Sequence, residues 1–142
     1  MLNNRPTVII IDDDSYDLNL FTDAIEYLNH LTDIILIEST DVIDLLRGLP
    51  TIPLIILSPI SASTTRKELL ADQNESFKYI PYVFYSASSD HIILKEISEN
   101  TDGFFHRPEN AEELAALLST IINYWSNALT PLTVNYQSQV TQ

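Results

Sequence analysis

VIIIDDDSYDLNL, residues 8–20, reads as a strand that runs straight into a helix. Val8 to Ile11 is an unbroken β-branched run, the mark of a strand covered on both faces of a sheet. Three acids, Asp12, Asp13 and Asp14, end it. Asp14 or Ser15 then offers the side-chain oxygen that caps a helix N-terminus. Asp17 adds negative charge near the positive end of the helix dipole. Leu18, Phe21, Ile25 and Leu28 recur at helical spacing, so the helix runs to about Leu28.

Outward from this unit the same alternation repeats. Ile34 to Ile37 is a second strand, and Thr40 or Asp41 caps a short helix carrying Val42, Ile43, Leu45 and Leu46. Gly48 and Pro50 stop it. Leu54 to Leu57 is a third strand, with Pro53 at its start and Ser58-Pro59 at its end. The SPISASTTR stretch reads as loop and RKELLADQ as a short helix. Tyr82 to Tyr85 is a fourth strand, and Asp90 to about Glu99 a helix with Ile92, Ile93 and Ile97. Gly103 to His106 is a fifth strand, stopped by Pro108. The final helix starts at Glu109 and runs to about Trp125, with Leu114, Leu117, Leu118, Ile121, Ile122 and Trp125 on one stripe.

Five strand–helix alternations define an α/β fold: a single doubly wound, five-stranded parallel sheet with helices on both faces and right-handed crossovers. One domain is expected over residues 1–128. Residues 129–142 show no helical stripe and are expected to form a flexible C-terminal tail. A site is expected beyond the carboxyl ends of the strands, at the topological switch point.

The 142 residues contain 45% hydrophobic side chains, enough for a core, and no cysteine, which excludes disulfides and thiolate metal sites. No run reaches the roughly 18 apolar residues of a membrane span, and the N-terminus reads as a first strand, not a signal peptide. A cytoplasmic location is expected. Twenty acids against seven Lys and Arg give a net charge of −13. Such a surface repels phosphate backbones and anionic lipid, so neither nucleic acid nor membrane is an expected partner. It favours protein partners with basic patches.

Three stretches together resemble the receiver domain of two-component response regulators (the CheY-like, flavodoxin-like fold) across about residues 6–127. IIIDDDSYDLNL is similar to the family's first strand, whose acidic pair holds Mg²⁺; that pair maps to Asp12 and Asp13. YIPYVFYSAS is similar to the fourth strand, with Ser86 at the switch position. DGFFHRPENAEEL is similar to the fifth strand: Phe104 takes the aromatic place, Pro108 matches, and Arg107 stands in place of lysine. LIILSPIS matches in pattern only, because the resemblance puts the phosphoacceptor aspartate where Ser58 stands.

The resemblance therefore implies a pseudo-receiver, a stand-alone phosphorelay signalling protein that is not an enzyme and acts through protein–protein contacts. Expected partners are a histidine kinase or another signalling protein, or a second copy through the surface of the fourth helix, fifth strand and fifth helix. No cofactor is expected beyond weak Mg²⁺ on the acidic pocket of Asp12 and Asp13. Replacing a carboxylate by a hydroxyl removes both the nucleophile and an anionic ligand. The two acids need a counter-charge, since unit charges about 4 Å apart interact by roughly 4 kcal/mol at an effective dielectric near 20. Arg107 is the expected partner of Asp12 or Asp13. A second reading takes Asp12 as nucleophile and Asp14 as general acid of a haloacid-dehalogenase-type phosphatase, which also uses serine at its second motif. That family inserts a flap where a helix starts here, and it needs a late acidic motif that does not follow strands four or five.

Overall fold

Strand order in the computed structural model is β2–β1–β3–β4–β5, all parallel, and residues 5–28, 32–86 and 101–141 are described. The strands are β1 (Thr7–Ile11), β2 (Asp33–Ile37), β3 (Ile55–Pro59), β4 (Tyr82–Ser86) and β5 (Gly103–His106). The helices are α1 (Ser15–Ile25), α2 (Val42–Gly48), α3 (Ser63–Ala71) and α4 (Ala111–Thr141). The chain winds outward from β1 in both directions, so the order reverses between β1 and β3. The expected doubly wound α/β sheet is the one observed.

Strict pleating sorts the apolar residues into two cores. Val8, Ile10, Ile55, Leu57, Val83 and Tyr85 face Leu20, Phe21 and Ala24 of α1 and Leu114, Ala115, Leu118 and Ile122 of α4. Ile9, Ile11, Ile56, Tyr82 and Phe84 face Val42 and Leu46 of α2, with Ala62, Leu69 and Phe77. Each large side chain so buried contributes about 1.5–3 kcal/mol. This explains why the central strands are apolar on both faces.

Several boundaries differ from the sequence reading. β3 extends through Ser58 and Pro59, which pair with Phe84 and Tyr85, so Ser58 lies within the strand. α3 begins at Ser63, not Arg66, after a 3₁₀ turn over Ile60–Ala62. Its first turn is polar in sequence, yet Thr65 and Arg66 are buried, so tertiary packing holds it. The helix expected over 90–99 lies outside the described residues. The final helix does not end near Trp125: its backbone continues through the expected tail to Thr141. Elongating an existing helix adds one hydrogen bond per residue fixed and needs no apolar stripe. Pro131 removes one donor from this stretch without ending it. Among the described residues no helix is long and apolar enough to cross a membrane.

Candidate functional site at the carboxyl ends of the strands

β1 delivers Asp12 to the end of the sheet, where it is 2% exposed. One carboxylate oxygen accepts the Asp14 N–H at 2.9 Å. The other accepts from the Tyr85 hydroxyl, which also reaches the Ile11 carbonyl oxygen at 2.7 Å. Asp14 is the α1 N-cap and accepts the Tyr16 N–H at 2.7 Å. Asp13 turns away: its oxygens accept the N–H and the hydroxyl of Ser39 at 2.8 and 2.7 Å, tying the β1–α1 loop to the turn before α2. Asp12 and Asp13, expected as one acidic pocket, therefore serve different elements.

Arg107 follows β5, and pairing of Ser86 with His106 brings it to the same end of the sheet. Its N–H donates to the Ser86 carbonyl at 2.8 Å. Its Nη2 lies 2.9 Å from Asp17 Oδ1, with the arginine side chain 3% exposed and that of Asp17 22%. The ion pair expected with Asp12 or Asp13 is formed with Asp17 instead, while the two strand-end acids accept from Tyr85, Ser39 and the Asp14 N–H. Nη1 donates to the Pro108 carbonyl at 3.3 Å. Burial pushes the Asp17 carboxyl above its ordinary range, the Asp12 charge adds to this, and Arg107 opposes it.

Tyr85 is the residue that sequence reasoning missed. Phe21 meets its ring edge-on at 5.3 Å and Phe105 stacks on it at 5.6 Å. Burial first, and then the acceptor Asp12, push its phenol well above the ordinary tyrosine range, so it remains a proton donor. The available signal was a polar-tipped aromatic in an otherwise apolar strand, since a buried Tyr hydroxyl usually finds a partner.

Ser58 is fully buried and pleats to the face of Ile56, opposite Leu57. Its hydroxyl donates to the Pro59 carbonyl at 3.2 Å. No hydrogen bond or ion pair joins it to Asp12, Asp13 or Arg107. Its neighbour is Tyr82, whose phenol burial drives up to about 12 while Ser58 and Arg66 pull it down. An open cleft at the sheet end is lined by Asp17, Pro59, Ile60, Ser61, Tyr85, Ser86 and Arg107, not by Ser58. Phe104 is half-buried against the α2 face and meets the His106 ring edge-on at 5.5 Å.

Mg²⁺ requires hard oxygens in near-octahedral array, usually one or two carboxylates and several waters. These residues do not fit it. Among the described residues no three His, Cys, Asp or Glu side chains are grouped to hold a metal. Asp12 is committed to Tyr85 and the Asp14 N–H, Asp13 to Ser39, and Asp17 to Arg107. The phosphatase reading meets the same geometry: its general acid, Asp14, is a helix cap, and α1 begins at Ser15, where a flap should be inserted.

No protein-family model and no curated protein sequence matches the chain. Solved structures do match in fold. A response regulator in red light signalling of R. palustris superposes with a TM-score of 0.71 at 17% identity, covering 88% of this chain and 96% of that one. The phosphorylated cyanobacterial phytochrome response regulator RcpA gives 0.72 at 16%, covering 89% and 97%. The Mn²⁺-bound form of response regulator Rcp1 gives 0.65 at 16%, covering 84% and 94%.

Proposed function

We propose that this chain, which has the fold of response-regulator receiver domains, is a pseudo-receiver of a two-component or phosphorelay system. It acts in the cytoplasm through protein–protein contacts, without catalysing a reaction and without carrying a phosphoryl group. The observation that carries this reading is Ser58: the position matched to the phosphoacceptor holds a hydroxyl that is 0% exposed and turned back onto the Pro59 carbonyl. A serine hydroxyl is a poor nucleophile without an adjacent base, and the side chain beside it is the phenol of Tyr82, held protonated at neutral pH.

The net charge of −13 favours a partner with a basic patch. By likeness to receivers, that partner is a histidine kinase or another signalling protein. The surface of the helix expected over 90–99, β5 and α4 is the candidate contact, for such a partner or for a second copy. Incubation with acetyl phosphate and Mg²⁺, followed by intact-mass measurement, tests the reading. The mass is expected to stay unchanged. A single added phosphoryl group, mapped to any side chain at the strand ends, overturns it.

A further inference from the structure

We propose that Tyr85 is a built-in stopper: its hydroxyl, not a divalent cation, is the resident partner of Asp12, and it keeps the acid cluster closed to metal. The proposal rests on the pseudo-receiver reading and explains how such a site stays stable with no phosphoryl group or metal to order it.

Three features carry it. First, the Tyr85 hydroxyl lies against an Asp12 oxygen and occupies a position that a cation ligated there at about 2.0–2.1 Å would otherwise take. Second, the phenol cannot swing aside easily. Its ring is wedged between Phe21 of α1 and Phe105 of β5, and its oxygen also reaches the Ile11 carbonyl. Third, the charge that a cation would neutralise already has a cation. Arg107, 5% exposed and permanently protonated, sits on Asp17 beside Asp12. Ser58 adds no anionic ligand. With Asp12 on the Tyr85 phenol and the Asp14 N–H, Asp13 on Ser39 and Asp17 on Arg107, each of these carboxylates that a divalent ion would need already has a resident partner.

The test is a Mn²⁺ titration of the full chain, read as paramagnetic broadening of backbone amide NMR signals. In the unmodified protein, signals of residues 12–17 should broaden no more than those of exposed acids elsewhere. Tyr85→Phe keeps the ring contacts and removes the hydroxyl. It should strengthen selective broadening at 12–17 about tenfold, the scale of one neutral hydrogen bond. Adding Asp12→Asn to that variant should abolish the gain. Selective broadening at 12–17 in the unmodified protein overturns the proposal, as does a folded Tyr85→Phe variant that stays indifferent to Mn²⁺. Should Tyr85→Phe fail to fold, the unmodified protein supplies a second readout. The buried Tyr85 hydroxyl proton should give a slowly exchanging signal unmoved by millimolar Mg²⁺, and its loss on adding Mg²⁺ overturns the idea. Selective Mn²⁺ binding without acetyl phosphate labelling removes the stopper and leaves the pseudo-receiver reading intact. Labelling by acetyl phosphate removes the latter.

Discussion

Tyr82 and Tyr85 sit three residues apart on β4 and point to opposite faces of the sheet, both buried, at 0% and 2% exposure. Their surroundings differ in kind. The Tyr85 hydroxyl has Asp12 and the Ile11 carbonyl as acceptors. The Tyr82 hydroxyl has no hydrogen-bond partner among the described residues, and the guanidinium of Arg66 lies 5.1 Å from the centre of its ring. One phenol is a polar group used as such. The other is an aromatic filler whose oxygen is left over. The difference shows that the α1/α4 face of the sheet end is organised around a polar cluster, whereas the α2/α3 face is organised around packing.

The largest test of that contrast removes the resident cation. Arg107→Met leaves Asp17 beside Asp12 without a counter-charge, and the protein should lose about 3–5 kcal/mol in urea unfolding. A loss below about 1 kcal/mol would mean that the cluster is not held by charge pairing. Next, Tyr85→Phe leaves an Asp12 oxygen unsatisfied in a buried site and should cost about 1–3 kcal/mol by the same measurement. Its counterpart Tyr82→Phe deletes an unpartnered hydroxyl. It should leave stability within about 0.5 kcal/mol of the parent or raise it. Equal losses at 82 and 85 would erase the distinction between the faces.

The smallest effects are in titration. The raised pKa of Asp17 means that the folded state keeps this proton to higher pH than the unfolded chain. Its contribution to stability therefore falls as pH rises from 3.8 through the folded value. Asp72, at the C-terminus of α3, has the opposite sign. The Asn74 N–H, and secondly Arg47, hold its carboxyl below 3.8, so its contribution is lost as pH falls through the folded value. Carboxyl carbon chemical shifts followed against pH should place the two midpoints on opposite sides of 3.8. Midpoints on the same side would contradict the assignment of Asp17 to a desolvated cluster.

The fold was legible because its strands advertise themselves. Val8–Ile11, Ile34–Ile37 and Ile55–Leu57 are β-branched or leucine runs, and in the central strands β1 and β3 burial on both faces demands that composition. Asp14 as cap and the stripe on the final helix were readable for the same local reason. The site was only half legible. Asp12, Arg107 and Ser86 do gather at one end of the sheet, but their bonding depends on partners far away in the chain. Asp12 meets Tyr85 across 73 residues, and Arg107 reaches Asp17 on the first helix. Such pairings follow from strand order and register, which local spacing does not encode. The setting of Ser58 was illegible for a related reason. With β3 extended by pairing to Phe84 and Tyr85, its side chain belongs to the sheet interior and not to the cleft.

That interior position limits which side chains can stand at 58. An aspartate at position 58 would bury a carboxylate beside Ile56, Tyr82 and Phe84, where an isolated charge is costly and the group would instead retain its proton. A charge placed at 58 would thus be absorbed by the β3–β4 pairing and not by the cleft beyond it.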